Sequence, residues 1–95
     1  MTRWTSSKLY TTLVHCLPLY TDNPFAQTPK LNVGKLCSAI GMSHEGLYKW
    51  LRKGRLKADN ATMLLTLANR EDNAAVLRQL GRDAPKIEDF VPLVF

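Results

Sequence analysis

Residues 33–52, VGKLCSAIGMSHEGLYKWLR, constrain this chain more than any other stretch. Val33, Leu36, Cys37 and Ile40 recur at spacings of three and four, the period of one helix face. Gly41 follows, where glycine ends a helix in the left-handed conformation at no steric cost. Ser43 then offers a hydroxyl to cap a second helix whose apolar face is Leu47, Trp50 and Leu51. Met42, just before the cap, packs toward Leu47 as a hydrophobic staple. Gly54 closes the second run. The spacing predicts a helix over 33–40, a tight turn, and a helix over 43–53, the second capped by Ser43.

The flanks read as elements packed around this pair. Residues 6–17 place Leu9, Leu13, Cys16 and Leu17 on one helical face, with Ser6 or Ser7 as cap and Pro18 as the stop. Residues 18–32 hold three prolines and the apolar anchors Leu19, Tyr20 and Phe25, and read as an ordered loop. At 15 residues it is long for a connection between bundle helices. Asn32 caps the helix at 33. A further helix over 59–69, capped by Asp59 or Asn60, buries Met63, Leu64, Leu67 and Ala68. A break at 69–72 precedes a last helix over 73–81, buried through Val76, Leu77 and Leu80.

The tail, residues 86–95, is too apolar to hang in water, and Pro92 argues against a helix or a central strand. Phe90, Val91, Leu93, Val94 and Phe95 are therefore expected to dock as an extended arm or edge strand, on their own domain or on a second subunit. Ninety-five residues with 45% apolar side chains suffice for one small core. The expectation is a single all-α domain over 1–95: a compact bundle of four to five helices with an extended apolar C-terminal tail.

Charge is distributed unevenly. The net value is +5, yet residues 30–57 alone carry seven basic side chains against Glu45, and the remainder of the chain is slightly acidic. A solvated face is the ordinary reading of such a run. A cationic field confined to one element is also what a polyanion-binding surface requires. Cys16 and Cys37 are more plausible as reduced thiols than as a disulfide, and Cys37 has a use as a small apolar contact inside its helix. No apolar run approaches a membrane span, and the first residues lack the pattern of a signal peptide, so a cytoplasmic location, in a bacterial cell or a phage-infected host, is expected.

A small residue at 37, glycine at 41 and apolar residues at 36, 40, 42, 47 and 50 are the demands of a helix-turn-helix. With those residues in place, LCSAIGMSHEGLYKWLRKGRLKADNATMLLTLA resembles the helix-turn-helix domain of the lambda repressor and Cro type, found in phage and bacterial regulators. The resemblance covers about residues 33–69. It implies a sequence-specific transcriptional regulator of double-stranded DNA, a repressor, binding as a homodimer to a pseudo-palindromic operator. The helix starting at Ser43 would lie in the major groove. Ser43, His44, Glu45, Tyr48, Lys49 and Arg52 match the positions that read bases or adjacent phosphates, with Arg52 able to pair guanine bidentately and Glu45 to accept from cytosine. Lys53, Arg55 and Lys57 after the helix, with Lys30 and Lys35 near the start of the preceding one, fall to phosphates. Arg3 and Trp4 suggest an N-terminal arm.

This chain departs from the pattern in the 15-residue loop before Asn32, in Gly46 inside the recognition helix, and in the tail. Catalysis finds little support: no phosphate-cradling glycine loop, nucleophile elbow or acid pair beside a base is present, and no cofactor or metal is called for. His15, His44, Cys16 and Cys37 do not form a ligand pattern. The alternative to a DNA regulator is a small protein–protein interaction or inhibitor protein that reuses the same scaffold.

Overall fold

The computed structural model describes residues 7–94; Arg3, Trp4, Ser6 and Phe95 lie outside them. Ser7 starts the first helix by accepting from the Tyr10 N–H at 3.1 Å. The helix, α1 (Lys8–Cys16), buries Leu9, Tyr10, Leu13 and Cys16. Pro18 then opens a 3-10 turn, Pro18–Tyr20, where its missing N–H leaves no bond unmade. Two short strands follow, β1 (Thr21–Asp22) and β2 (Lys30–Leu31), paired antiparallel with Thr21 opposite Leu31 and Asp22 opposite Lys30. The proline-rich connection is thus a hairpin and not a plain loop, and the bundle is mostly helical with one small sheet.

The central pair forms where its periodicity predicts. In α2 (Val33–Ile40), Asn32 caps by accepting from the Lys35 N–H at 3.0 Å, and Gly41 ends the helix at φ 68°. In α3 (His44–Lys53), Ser43 caps by accepting from the Gly46 N–H at 3.1 Å, and Gly54 ends it at φ 70°. Leu36, Cys37, Leu47, Trp50 and Leu51 are buried between the helices and the rest of the core, while Val33 and Ile40 are only partly covered.

Two boundaries move. The fourth helix, α4 (Ala58–Ala68), starts one residue before Asp59, and Lys57 occupies its cap position without a side-chain bond. It buries Ala61, Leu64, Leu67 and Ala68, with Met63 only half-covered. The fifth, α5 (Glu71–Gln79), begins inside the expected break because Glu71 and Asp72 favour the positive end of the helix dipole. Its buried residues are Leu77 and Asn73; Val76 and Leu80 are half-exposed.

The tail requires the largest correction. It is not an extended arm: it forms a one-turn helix, α6 (Ile87–Phe90), and a 3-10 turn, Val91–Leu93. Pro92 is compatible with this because it sits at the start of the 3-10 turn. The Lys86 N–H donates to the Asp89 carboxylate at 2.8 Å, fixing the entry. Phe90 and Leu93 are buried in the chain's own core, Val94 is half-buried, and Val91 stands exposed. The Leu56 N–H donates to the Leu93 carbonyl at 2.9 Å, and Leu56 and Val94 form a single parallel bridge. The tail therefore locks the strand-like connector after α3 onto the bundle. Among the described residues no helix is long and apolar enough to cross a membrane.

Asn73 is fully buried and completely satisfied. Its Nδ2 donates to the carbonyls of Cys16 (2.9 Å) and Ala68 (2.8 Å), and its Oδ1 accepts from the Leu19 N–H (3.3 Å). Replacing it with Ala strands backbone groups at the ends of α1 and α4, each costing about 1–3 kcal/mol when buried and unpaired. Asn73→Ala is expected to lower stability by about 3 kcal/mol in urea unfolding. Phe90→Ala is expected to cost about 3–5 kcal/mol by the same measurement, because it opens a cavity in the protein's own core. A Phe90→Ala protein as stable as the parent would contradict the docked tail.

Candidate nucleic-acid interface

The surface around α3 follows from its helical period. With about 100° between residues, Leu47, Trp50 and Leu51 point into the core, and Glu45, Lys49 and Arg52 fall on the opposite side. All three are exposed, as are Ser43, His44 and Lys53. His44 and Tyr48 form one shoulder of this outward face and Lys53 the other.

The two shoulders differ in chemistry. On the first, the His44 ring lies over the start of α2: a Cβ placed on Gly34 would stand 3.6 Å from His44 Nε2. Tyr48 is half-buried and packs against the core. These two of the six expected base contacts are thus set toward α2 and the hairpin and away from the apex. On the second shoulder, Lys49, Lys53, Arg55 and Lys57 surround a cavity of about 260 Å³, with Trp50 and Asn60 completing its wall. Lys49, expected at base edges, lines the same cavity as the residues expected at phosphates.

Trp50 and Asn60 were not singled out in the sequence for this surface. Trp50 reads there as core, and it is indeed largely buried. Asn60 reads as a cap of α4, but the helix begins earlier and leaves it in the first turn, facing the cations. Lys30 and Lys35 are exposed; Lys30, on β2, lines a groove with His44, and Lys35 lies in the first turn of α2. The ion pairs Arg78–Glu71 (2.7 Å) and Arg70–Asp72 (3.5 Å) lie on α5, outside the basic segment.

The turn between the helices is held from below by Cys37. Its Sγ lies 3.6 Å from the Ser43 carbonyl, so this small side chain links α2 to the cap of α3. Burial pushes the Cys37 thiol up from its ordinary pKa. Burial, helped by the nearby Asp89 carboxylate, pushes the Cys16 thiol up to about 11. Burial first and then the Arg82 charge lower the pKa of His15, next to Cys16. These are properties of packed residues, not of a nucleophile, since a reactive thiol needs a lowered pKa. Among the described residues no three His, Cys, Asp or Glu side chains come together in a metal-holding group.

No family model, no curated protein and no solved structure matches the chain.

A buried thiol with a raised pKa carries almost no thiolate near neutral pH. Cys16 and Cys37 should therefore resist a water-soluble disulfide reagent in the native protein and react together on unfolding in urea. Native labelling of Cys37 at the rate of a free thiol would contradict its placement under the turn.

Proposed function

We propose that the protein binds double-stranded DNA through α3, as a helix-turn-helix regulator. The observation that carries this reading is the clustering of Lys49, Lys53, Arg55 and Lys57 around one cavity beside an outward face holding Glu45 and Arg52. Bringing four cations together costs self-repulsion, and a polyanion relieves it. The start of α4 adds to the field: no described side chain caps it, and its N–H groups lie beside Lys57 and Asn60. Helix N-termini favour phosphate for the same electrostatic reason.

In this reading the roles divide along the face. Arg52 and Glu45, at the apex, meet base edges, with Arg52 pairing guanine and Glu45 accepting from cytosine. Lys53, Arg55 and Lys57 hold one phosphate backbone, and Lys49, on the outward face and also lining the basic cavity, reaches either base or phosphate. Lys35 and Lys30 meet the opposite backbone, which supplies affinity without sequence information. Ser43 serves first as the cap of α3. Repression and a homodimer on a pseudo-palindromic operator come from the family resemblance, and the cytoplasm is the compartment that such a role requires.

A second reading, a protein-binding module, is favoured by Ile87 and Val91. They stand four residues apart at the tail, 44% and 61% exposed. The basic cluster contributes nothing to that surface, which is why DNA is preferred.

Selection of duplexes from a random pool at moderate salt should recover a palindromic motif. For the selected duplex, log K should fall linearly with log salt. Arg52→Ala should cost about 1–3 kcal/mol and relax preference at one base pair; Lys57→Ala should weaken all duplexes alike and reduce the salt slope by about one. Salt-independent binding would overturn the DNA reading, and equal losses of selectivity from both variants would overturn the division of roles.

A further inference from the structure

Phe25 lies in the turn of the β1–β2 hairpin and is 67% exposed, more than any other large apolar side chain among the described residues. The strands on either side of it are tied down. Asn32 donates from its backbone N–H to the Tyr20 carbonyl at 2.8 Å and from Nδ2 to the Asp22 carboxylate at 3.1 Å. The Leu31 N–H donates to the Tyr10 hydroxyl at 3.0 Å, which fastens β2 to α1. Inside the turn, the Ala26 N–H donates to the Asn23 carbonyl at 2.9 Å, and Asn23 takes the left-handed conformation at φ 51°. A held loop that presents an aromatic ring to water gains nothing for the fold from that ring.

The hairpin also has a definite neighbour. Its β2 side, including Lys30, forms one wall of a groove of about 780 Å³ whose other wall is His44 and Tyr48 of α3. Gly34, at the start of α2, forms part of the groove's lining. The Asp22 carboxylate accepts from Asn32 Nδ2 and keeps its charge, while Lys30, which makes no ion pair among the described residues, is the cation of this groove, with His44 on the other wall. A helix lying in a major groove about 12 Å wide is flanked by a phosphate backbone on each side. The basic cavity beside Lys57 takes one flank, and this groove lies on the other.

Resting on the DNA reading above, we propose that the hairpin is a second duplex-contacting element. Lys30 at its base holds a backbone phosphate between the hairpin and the first turn of α3. Phe25 at its turn packs against the sugars and base edges of the duplex beyond the site read by α3, as apolar wedges do in the neighbouring minor groove. The 15-residue insertion between α1 and α2 is then the device that lengthens the binding site.

The test uses the duplex selected by the full protein, once with ten base pairs of flank on each side and once trimmed to the selected motif. Phe25→Ser changes an exposed residue, and its thermal unfolding should match the parent. A second variant replaces residues 23–29 by Asn-Gly, which closes the Asp22–Lys30 pair with a two-residue turn. Both should bind the flanked duplex about tenfold more weakly, the scale of one aromatic contact to nucleic acid. On the trimmed duplex they should equal the parent, and hydroxyl-radical protection should shorten at the outer edges of the site. Unchanged affinity and protection for both variants on a duplex that the parent binds would overturn the hairpin's role and leave the α3 reading standing. If the parent selects no duplex at all, both readings fall.

Discussion

The structure depends on one buried amide. Asn73 bonds the end of α1 through the Cys16 carbonyl, the end of α4 through the Ala68 carbonyl, and the 3-10 turn through the Leu19 N–H. Each of these is a helix end or a turn, where backbone groups have no partner of their own. An apolar residue of similar size would fill the same space and leave them unpaired in the interior. The amide suits the position because it donates twice and accepts once in one plane. An aspartate would lose both donors and add a buried charge.

What Asn73 fixes, the rest of the bundle uses. With α1 and α4 held to α5, the 3-10 turn and the hairpin take a set direction, and Tyr10 anchors β2 to α1. Asn32, directly after β2, then caps α2. From α2 the link through Cys37 and Ser43 sets α3. The tail closes the other side, since Leu93 and Val94 grip Leu56 in the connector that holds Arg55 and Lys57. The two edges of the basic surface are thus fastened to the core by different elements, and the exposed face of α3 lies between them. Fixed spacing of this kind keeps the cations on the two edges in one arrangement.

Much of this was legible in the sequence where the signal is local. The caps Ser7, Asn32 and Ser43 and the left-handed Gly41 and Gly54 act over one helical turn, and α1, α2 and α3 follow within a residue or two. The outward face of α3 is legible for the same reason. Three things were not. Asn73 reads as a polar residue at the start of a helix, while its partners Cys16 and Leu19 lie more than fifty residues away in sequence. The hairpin strands are two residues each, too short for any alternation, and are made by Tyr10 and Asn32 from outside. The tail misleads because a proline excludes the interior of a helix but not its first turn. The groove beside His44 is built from the hairpin and the helices it is tied to, so it was no more legible than the hairpin itself.

Gly46, the glycine inside α3, has a packing reason. It is the third residue of α3, where the cost of glycine against alanine is below the about 1 kcal/mol of a helix interior. A Cβ there would stand 3.2 Å from Met42 Cε and 3.3 Å from Ser43 Oγ. The Ser43 hydroxyl is held by its bond to the Gly46 N–H itself, so it has little freedom to withdraw. Met42, half-buried beneath the turn, would have to shift. The missing side chain leaves room for the cap and for the residue that packs under it. Gly46 therefore bears on how α3 begins, and the basic cavity beside Lys49 and the hairpin groove beside His44 lie on either side of the helix's outward face.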